Sequence, residues 1–219
     1  MKKIISLFLI VLTSCSSLNN GKIAPGYFEA FESIKNLIFG FDNQIDPQII
    51  ENIPYASILV RIGNGPEALM ILQRVNGDEY TWVSADDVYL VIKNGKIIKT
   101  QGLPNNLFEN LTSFEGWSDI DVDVLDKKEK FISYYSFRNP EFNNLEVSSQ
   151  YSNSGKTELQ LTFGKKQLLL LNERISAESI GWEKINSYWL DDQKYVWRSV
   201  QHISPRLPPI YYEVTKKPL

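Results

Sequence analysis

The sequence predicts a mostly β fold: an open, curved antiparallel sheet, half-barrel or sandwich, with one amphipathic helix near its N-terminus. Three observations carry that prediction. Residues 54–107 hold five short runs rich in β-branched and aromatic side chains, at 55–62, 68–75, 80–84, 88–93 and 96–100, with turn signals between them. Asn76-Gly77 and Asn94-Gly95 are hairpin signals, because a type I′ turn needs two residues that tolerate positive φ. Similar runs recur at 131–137, 145–151, 158–163 and 167–171, and an aromatic pair follows at 181–190 and 195–203. A two-residue Asn94-Gly95 loop sets Ile92 opposite Ile97 and Val91 opposite Ile98, so 54–107 reads as an up-and-down meander.

The bulk numbers agree with a single β-rich domain. All-β folds of 219 residues are often one unit, and 43% apolar content is enough for a sizeable core. The formal charge of −3, without a basic run, argues against nucleic acid as a partner and against an electrostatic hold on anionic lipid. A single Cys excludes an intramolecular disulfide, so the fold rests on its core.

The N-terminus carries a targeting pattern. Lys2-Lys3 precedes an apolar run at 4–12, too short to span a bilayer and suited to the core of a signal peptide. Leu12-Thr13-Ser14-Cys15 resembles the lipobox of bacterial lipoproteins. That resemblance implies removal of a signal peptide at 1–14 and lipidation of Cys15, palmitate included. The mature chain would be held by outer-membrane lipid, and Ser16 rather than Asp after the Cys implies the outer membrane. An incidental Cys behind an ordinary signal is the alternative. The position of the only Cys favours the lipobox. Residues 15–26, polar and Gly-bearing, read as the lipidated Cys and a flexible tether, leaving 27–219 as the domain.

Within it, Tyr27, Phe31, Ile34, Leu37, Ile38 and Phe41 fall at helical spacing, with Glu29, Glu32 and Lys35 off the stripe. A helix on the membrane usually has a Lys/Arg-rich polar face. This one is acidic, so it is expected to close one side of the β core. Asp46 before Pro47 reads as an N-cap with Pro at the first helical position, and 48–53 as a short helix. Residues 108–118 read as loop. Asp119, Asp121 and Asp123 alternate with apolar residues, and a strand would splay them too far apart for Ca²⁺. Asn153-Ser154-Gly155 and Gly164-Lys165-Lys166 read as turns, and 167–171, apolar on both faces, as a central strand. Residues 210–215 read as a last, edge strand.

The aromatic pair at 181–190 and 195–203, joined by a four-residue loop, sets Tyr188 opposite Trp197 and Trp189 opposite Val196. Tyr188, Trp189 and Trp197 are then a candidate sugar-stacking platform. Core packing, which claims most large aromatics, is the competing reading. The same register places Glu183 opposite His202.

Chemistry is sparse. One His excludes multi-His zinc sites. There is no Gly-x-Ser-x-Gly elbow and no phosphate loop. Asp86-Asp87 and Asp191-Asp192 sit in turn-like segments, where Asp serves the backbone. No catalytic residue, metal or cofactor is expected.

The segments Pro54-Tyr55-Ala56-Ser57, Val60-Arg61-Ile62-Gly63, Gly65-Pro66, Trp82-Val83-Ser84-Ala85-Asp86, Gly102-Leu103-Pro104-Asn105-Asn106-Leu107, Tyr188-Trp189-Leu190-Asp191, Val196-Trp197-Arg198-Ser199 and Lys217-Pro218 resemble the YjbF/GfcB lipoproteins of capsule and exopolysaccharide clusters. Asp87 departs from the pattern, where Gly is expected. The resemblance implies a non-enzymatic outer-membrane lipoprotein facing the periplasm. It would assist assembly or export of a capsular polysaccharide beside an outer-membrane barrel protein and a periplasmic partner. A lipid or lipoprotein carrier with an apolar concave sheet, or a pure protein-binding adaptor, are the alternatives. Among the matched residues, a buried Arg needs a carboxylate, so Asp86 with Arg61 or Arg198 is the candidate structural ion pair.

Overall fold

The computed structural model describes residues 22–23, 45–117 and 130–218. The signal segment, Cys15, the helix expected over 27–41 and the acidic run at 119–123 lie outside the described residues.

The described chain is nearly all strand: β1 (Lys22–Ile23), β2 (Ser57–Ile62), β3 (Glu67–Asn76), β4 (Glu79–Ser84), β5 (Tyr89–Lys93), β6 (Lys96–Gln101), β7 (Asn106–Thr112), β8 (Phe131–Arg138), β9 (Phe142–Leu161), β10 (Gly164–Ala177), β11 (Trp182–Leu190), β12 (Val196–Gln201) and β13 (Ile210–Lys216). One helix, α1 (Pro47–Asn52), precedes β2, and Asp46 caps it by accepting from the Gln48 N–H at 2.8 Å. The strands form one antiparallel sheet in the order β6-β5-β4-β3-β2-β13-β12-β11-β10-β9-β8-β7, with β1 beside β3. Lys22 and Ile23 belong to the segment read as a tether, and they pair with Val75 and Arg74.

Almost every neighbour in the sheet is a neighbour in sequence, so the meander expected for 54–107 runs on through the whole domain. The exception is β13, which pairs with both β12 and β2. It is therefore not an edge strand. It joins the end of the chain to the start of the meander and rolls the sheet into a nearly closed barrel. The true edges are β6 and β7. They are bridged by side chains: the Leu107 N–H donates to Thr100 Oγ1 at 3.0 Å, and Asn106 exchanges hydrogen bonds of 2.9 Å with the backbone of Leu103.

The turns follow local chemistry. Asn94-Gly95 is a two-residue loop with φ of 49° and 77°, and Ile92 faces Ile97 as expected. A bulge then moves Val91 opposite Lys99 rather than Ile98. The other hairpin turns one residue late, at Gly77-Asp78 between the Asn76↔Glu79 pair. Asp87 has φ of 61°, the left-handed conformation in which Gly is at ease, which accounts for Gly in the pattern at that position. Three expectations change. Residues 108–112, expected as loop, belong to β7. Asn153-Ser154-Gly155 is no turn but a bulge inside the 20-residue β9, opposite Leu170. The β9–β10 turn falls at Thr162-Phe163, ahead of Gly164.

Both faces of the sheet near β2 and β3 are apolar. Ile58, Val60, Met70 and Trp82 point into the barrel core. Leu59, Leu69, Ile71 and Val83 point outward and are covered by Ile45, Ile50 and Ile53 around α1. Each such aliphatic side chain contributes about 1.5–3 kcal/mol when fully buried.

A charged pair sits inside the barrel. Lys96 of β6 meets Glu173 of β10 at 2.5 Å, and Glu173 is only 2% exposed. Both carboxylate oxygens are saturated. Oε1 also accepts from Tyr151 at 2.9 Å, and Oε2 from Tyr188 at 2.6 Å and Asn186 at 3.0 Å. The Lys96 ammonium lies 4.5 Å from the Phe114 ring centroid and 5.0 Å from that of Tyr151. Burial alone would raise the Glu173 pKa, but Lys96, Tyr188 and Asn186 outweigh it and hold the carboxyl below its ordinary value. Burial, with the Glu173 charge, raises the phenols of Tyr151 and Tyr188, which stay protonated donors.

Removing one partner strands the other. Glu173→Gln or Lys96→Met is expected to cost about 3–5 kcal/mol at neutral pH, and the double variant to melt above either single one. Because the folded Glu173 pKa is depressed, its contribution is present above the unfolded value of about 4.3 and is lost as pH falls through the folded value. Chemical denaturation between pH 3 and 7 checks both points. Strictly additive losses in the double variant would show that the two charges are not coupled.

Candidate outer-face groove

Among the described residues, nothing covers the sheet's outer face between α1 and the tip of the β9–β10 hairpin. A groove of about 530 Å³ lies there, with Ile45 and Pro47 on one wall and Thr162 on the other. That volume is within the range of small-ligand sites. Its floor is two rows that run across the strands. One row is Trp189, Arg198, Glu213 and Leu59, each opposite the next on β11, β12, β13 and β2. The other is Val200, Tyr211, Arg61 and Glu67 on β12, β13, β2 and β3. Residues two apart on a strand share a face, so the rows lie side by side.

Glu213 fixes one wall. Its Oε2 pairs with the Arg198 guanidinium, whose Nε lies at 3.1 Å. Its Oε1 accepts the Thr162 N–H at 2.6 Å, while Arg198 Nη2 donates to the Gln160 carbonyl at 2.9 Å. The ion pair therefore staples the hairpin tip to the sheet. Arg61 is exposed, and its guanidinium stacks on Tyr211 with Cζ 4.7 Å from the ring centroid.

The expected constellations are rearranged. Arg198 pairs with Glu213, not Asp86. Arg61 is a surface residue and needs no buried carboxylate. Asp86 stays in its own turn, where Ser84 Oγ donates to it. Tyr188, Trp189 and Trp197 do not share a face. Tyr188 and Trp189 are consecutive in a strand and point oppositely. A bulge at Trp197 makes Ser199 the partner of Tyr188 and Arg198 the partner of Trp189. Tyr188 is 1% exposed and serves Glu173, Trp189 faces the groove, and the Trp197 indole donates to Asp191 at 2.8 Å. Glu183 pairs with Arg174 instead of His202, whose backbone N–H donates to Asn186 Oδ1 at 2.7 Å. Tyr211 and Glu213 escape the sequence reading, because an edge strand over 210–215 has no second neighbour with which to build a row. Their alternation with Tyr212 and Val214 was the available signal.

A family model described as "Group 4 capsule polysaccharide lipoprotein gfcB, YjbF" matches residues 30–214, and the chain belongs to that family. It is 22% identical over 212 residues to the uncharacterized lipoprotein YjbF of Escherichia coli K12, covering 93% of this chain and 92% of that one. It is 22% identical over 191 residues to the uncharacterized lipoprotein GfcB of the same organism, covering 86% and 85%. The crystal structure of the hypothetical lipoprotein YmcC from Escherichia coli K12 superposes with a TM-score of 0.69 at 22% identity, over 86% of this chain and 97% of that one.

Glu213→Gln removes the charge that holds the hairpin tip. It is expected to cost about 1–3 kcal/mol and to speed hydrogen exchange at the Thr162 amide. Unchanged exchange there would show that the tip is held by other contacts.

Proposed function

We propose that this capsule-family lipoprotein is a non-enzymatic, lipid-anchored protein of the outer membrane that holds a stretch of extracellular polysaccharide in its outer groove during assembly or export. The carrying observation is the double row on the groove floor. Trp189 and Tyr211 offer rings against which the C–H faces of sugars pack, and such side chains combine apolar area with polar reach. Arg61 and Glu67 offer donors and acceptors to hydroxyl groups, beside the Arg198–Glu213 pair. An open groove between two walls suits a chain that must pass through rather than a molecule that is enclosed.

The anchor is part of the proposal. Cleavage after residue 14 and acylation of Cys15 would tie the barrel to the inner leaflet of the outer membrane, facing the periplasm. There an outer-membrane barrel protein and a periplasmic export protein are the expected partners. The carrier alternative is disfavoured, because the core fills most of the sheet's concave face and leaves only about 270 Å³ at one end, too little for a lipid's acyl chains.

The test titrates the full-length protein with fragments of the host's own exopolysaccharide and follows the Trp indole NMR signals. Saturable binding that shifts the Trp189 signal, weakened at least about tenfold by Arg61→Ala or Trp189→Ala, is the expected result. No binding at millimolar sugar would overturn it and move the function to protein–protein scaffolding.

A further inference from the structure

A second site is built at the β11–β12 turn, and none of its three residues lines the groove. The turn holds the Asp191 carboxylate with three N–H donors: Oδ1 accepts from Gln193 at 2.9 Å and Tyr195 at 3.0 Å, and Oδ2 accepts from the Trp197 indole at 2.8 Å. The rings of Tyr195 and Trp197 stand edge to face, 5.5 Å apart at 74°. Into this corner comes the Lys217 ammonium, 3.9 Å from the Tyr195 centroid, 5.1 Å from the Trp197 centroid and 3.5 Å from Asp191 Oδ2. Two ring faces and a fixed carboxylate are the arrangement that binds an alkylammonium. Burial would raise the Asp191 pKa, but its hydrogen bonds and Lys217 lower it, so it stays a carboxylate.

Lys217 is a loose occupant. It is the first residue beyond β13, and its side chain is 34% exposed. Beside the cage a cavity of about 270 Å³ opens into the end of the barrel, and Tyr195 belongs to both. Its walls include Tyr80, Ile92, Trp117 and Val214, and Pro218 of the tail contributes to them. Trp82 lines it too, and its buried indole N–H has no hydrogen-bond acceptor among the described residues. The volume falls just below that of drug-sized ligand sites, so it suits a fragment-sized body or the end of a chain. Other charges nearby are Asp78 on the cavity wall, paired with Lys93 at 3.2 Å, Asp192 of the turn, paired with Lys156 at 2.8 Å, Lys194, which donates to the Trp117 carbonyl at 3.0 Å, and Lys166, 4.1 Å from the Trp197 centroid.

We propose that Asp191, Tyr195 and Trp197 form a binding site for a primary ammonium carried on an apolar body, which enters the adjoining cavity and displaces the chain's own Lys217-Pro218 tail. The tail acts as an internal competitor. It lowers the apparent affinity by the fraction of time it occupies the cage.

The test uses full-length protein and two simple probes, the hexan-1-aminium ion and hexan-1-ol, read by the Trp197 indole signal. The alcohol also accounts for any partitioning into detergent. Lys217→Ala is expected to bind the amine at least roughly fivefold more tightly than the unmodified chain. It should also prefer amine over alcohol by about tenfold or more. Lys217→Ala/Asp191→Asn should bind the two probes alike. Should Asp191→Asn disturb the turn, the amine-to-alcohol ratio in Lys217→Ala alone decides. Equal binding of amine and alcohol by Lys217→Ala, or no gain over the unmodified chain, would overturn the proposal.

Discussion

The buried contact between Lys96 and Glu173 is the constraint on which the barrel depends. Lys96 stands on the edge strand β6 and Glu173 on β10, the ninth strand of the path counted from β6 and the fourth from β7. Their contact requires β6 to fold inward until it lies against the opposite wall. Backbone groups then complete the closure. Gln201 accepts from the Ile97 N–H at 2.9 Å and donates to the Gly95 carbonyl at 2.9 Å, and Tyr212 donates to the same carbonyl at 2.7 Å. An exposed sheet edge is a template for aggregation, and here one edge is spent on the protein's own interior. Gly95 is required for two reasons at once. Its φ is 77°, and a Cβ there would lie 2.3 Å from a Val196 methyl.

An inward-folded edge fills most of the barrel, so, apart from the cavity at its end, the surfaces open to a ligand lie outside. The outer face is not uniform. Around Leu59, Leu69 and Ile71 it is apolar and covered from α1. At the β9–β10 tip it is covered by the hairpin that Glu213 staples down. The groove is the strip left between those two covers. Arg61 is exposed there and Trp189, Arg198 and Tyr211 are half-buried, and the width of the strip is set by two elements held independently, one by apolar burial and one by charge. That independence makes the groove walls separable by mutation.

Much of this was legible from local patterns. Asp46-Pro47 announced α1, Asn94-Gly95 announced its hairpin, and the alternation of apolar residues placed β2 to β6 to within one or two positions. What could not be read was whatever depends on a bulge or on a remote strand. One extra residue at Trp197 shifts its ladder and separates three aromatic residues that an unbroken register would bring closer. The bulge at 153–155 looks like a turn because Asn, Ser and Gly serve both. The role of 210–215 was inverted because pairing with residues 57–62 is a long-range event with no local signature. Glu173 did leave a trace: it follows Leu171 and precedes Ile175 on an inward stripe, where a lone carboxylate demands a buried cation. Nothing in the local sequence named Lys96 as that cation.

The carboxylates also bear on whether the groove turns substrate over or only holds it. Glycoside cleavage needs two carboxyl groups, one a proton donor and one free to act as base or nucleophile. Glu213 has both oxygens engaged, one by Arg198 and one by the Thr162 amide, so it can neither attack nor present a proton without releasing the hairpin tip. Glu67, the other acid on the floor, stands opposite Arg61 in the ladder. Glu173 is saturated inside the core. Of the two acids on the floor, Glu213 is thus committed to holding its shape, and Trp189, Tyr211 and the Arg61 stacked on it are left with Glu67 to meet a ligand. Those are groups that bind and orient. On the proposed reading, a floor with one uncommitted acid suits passage of a polymer better than its cleavage, which needs two.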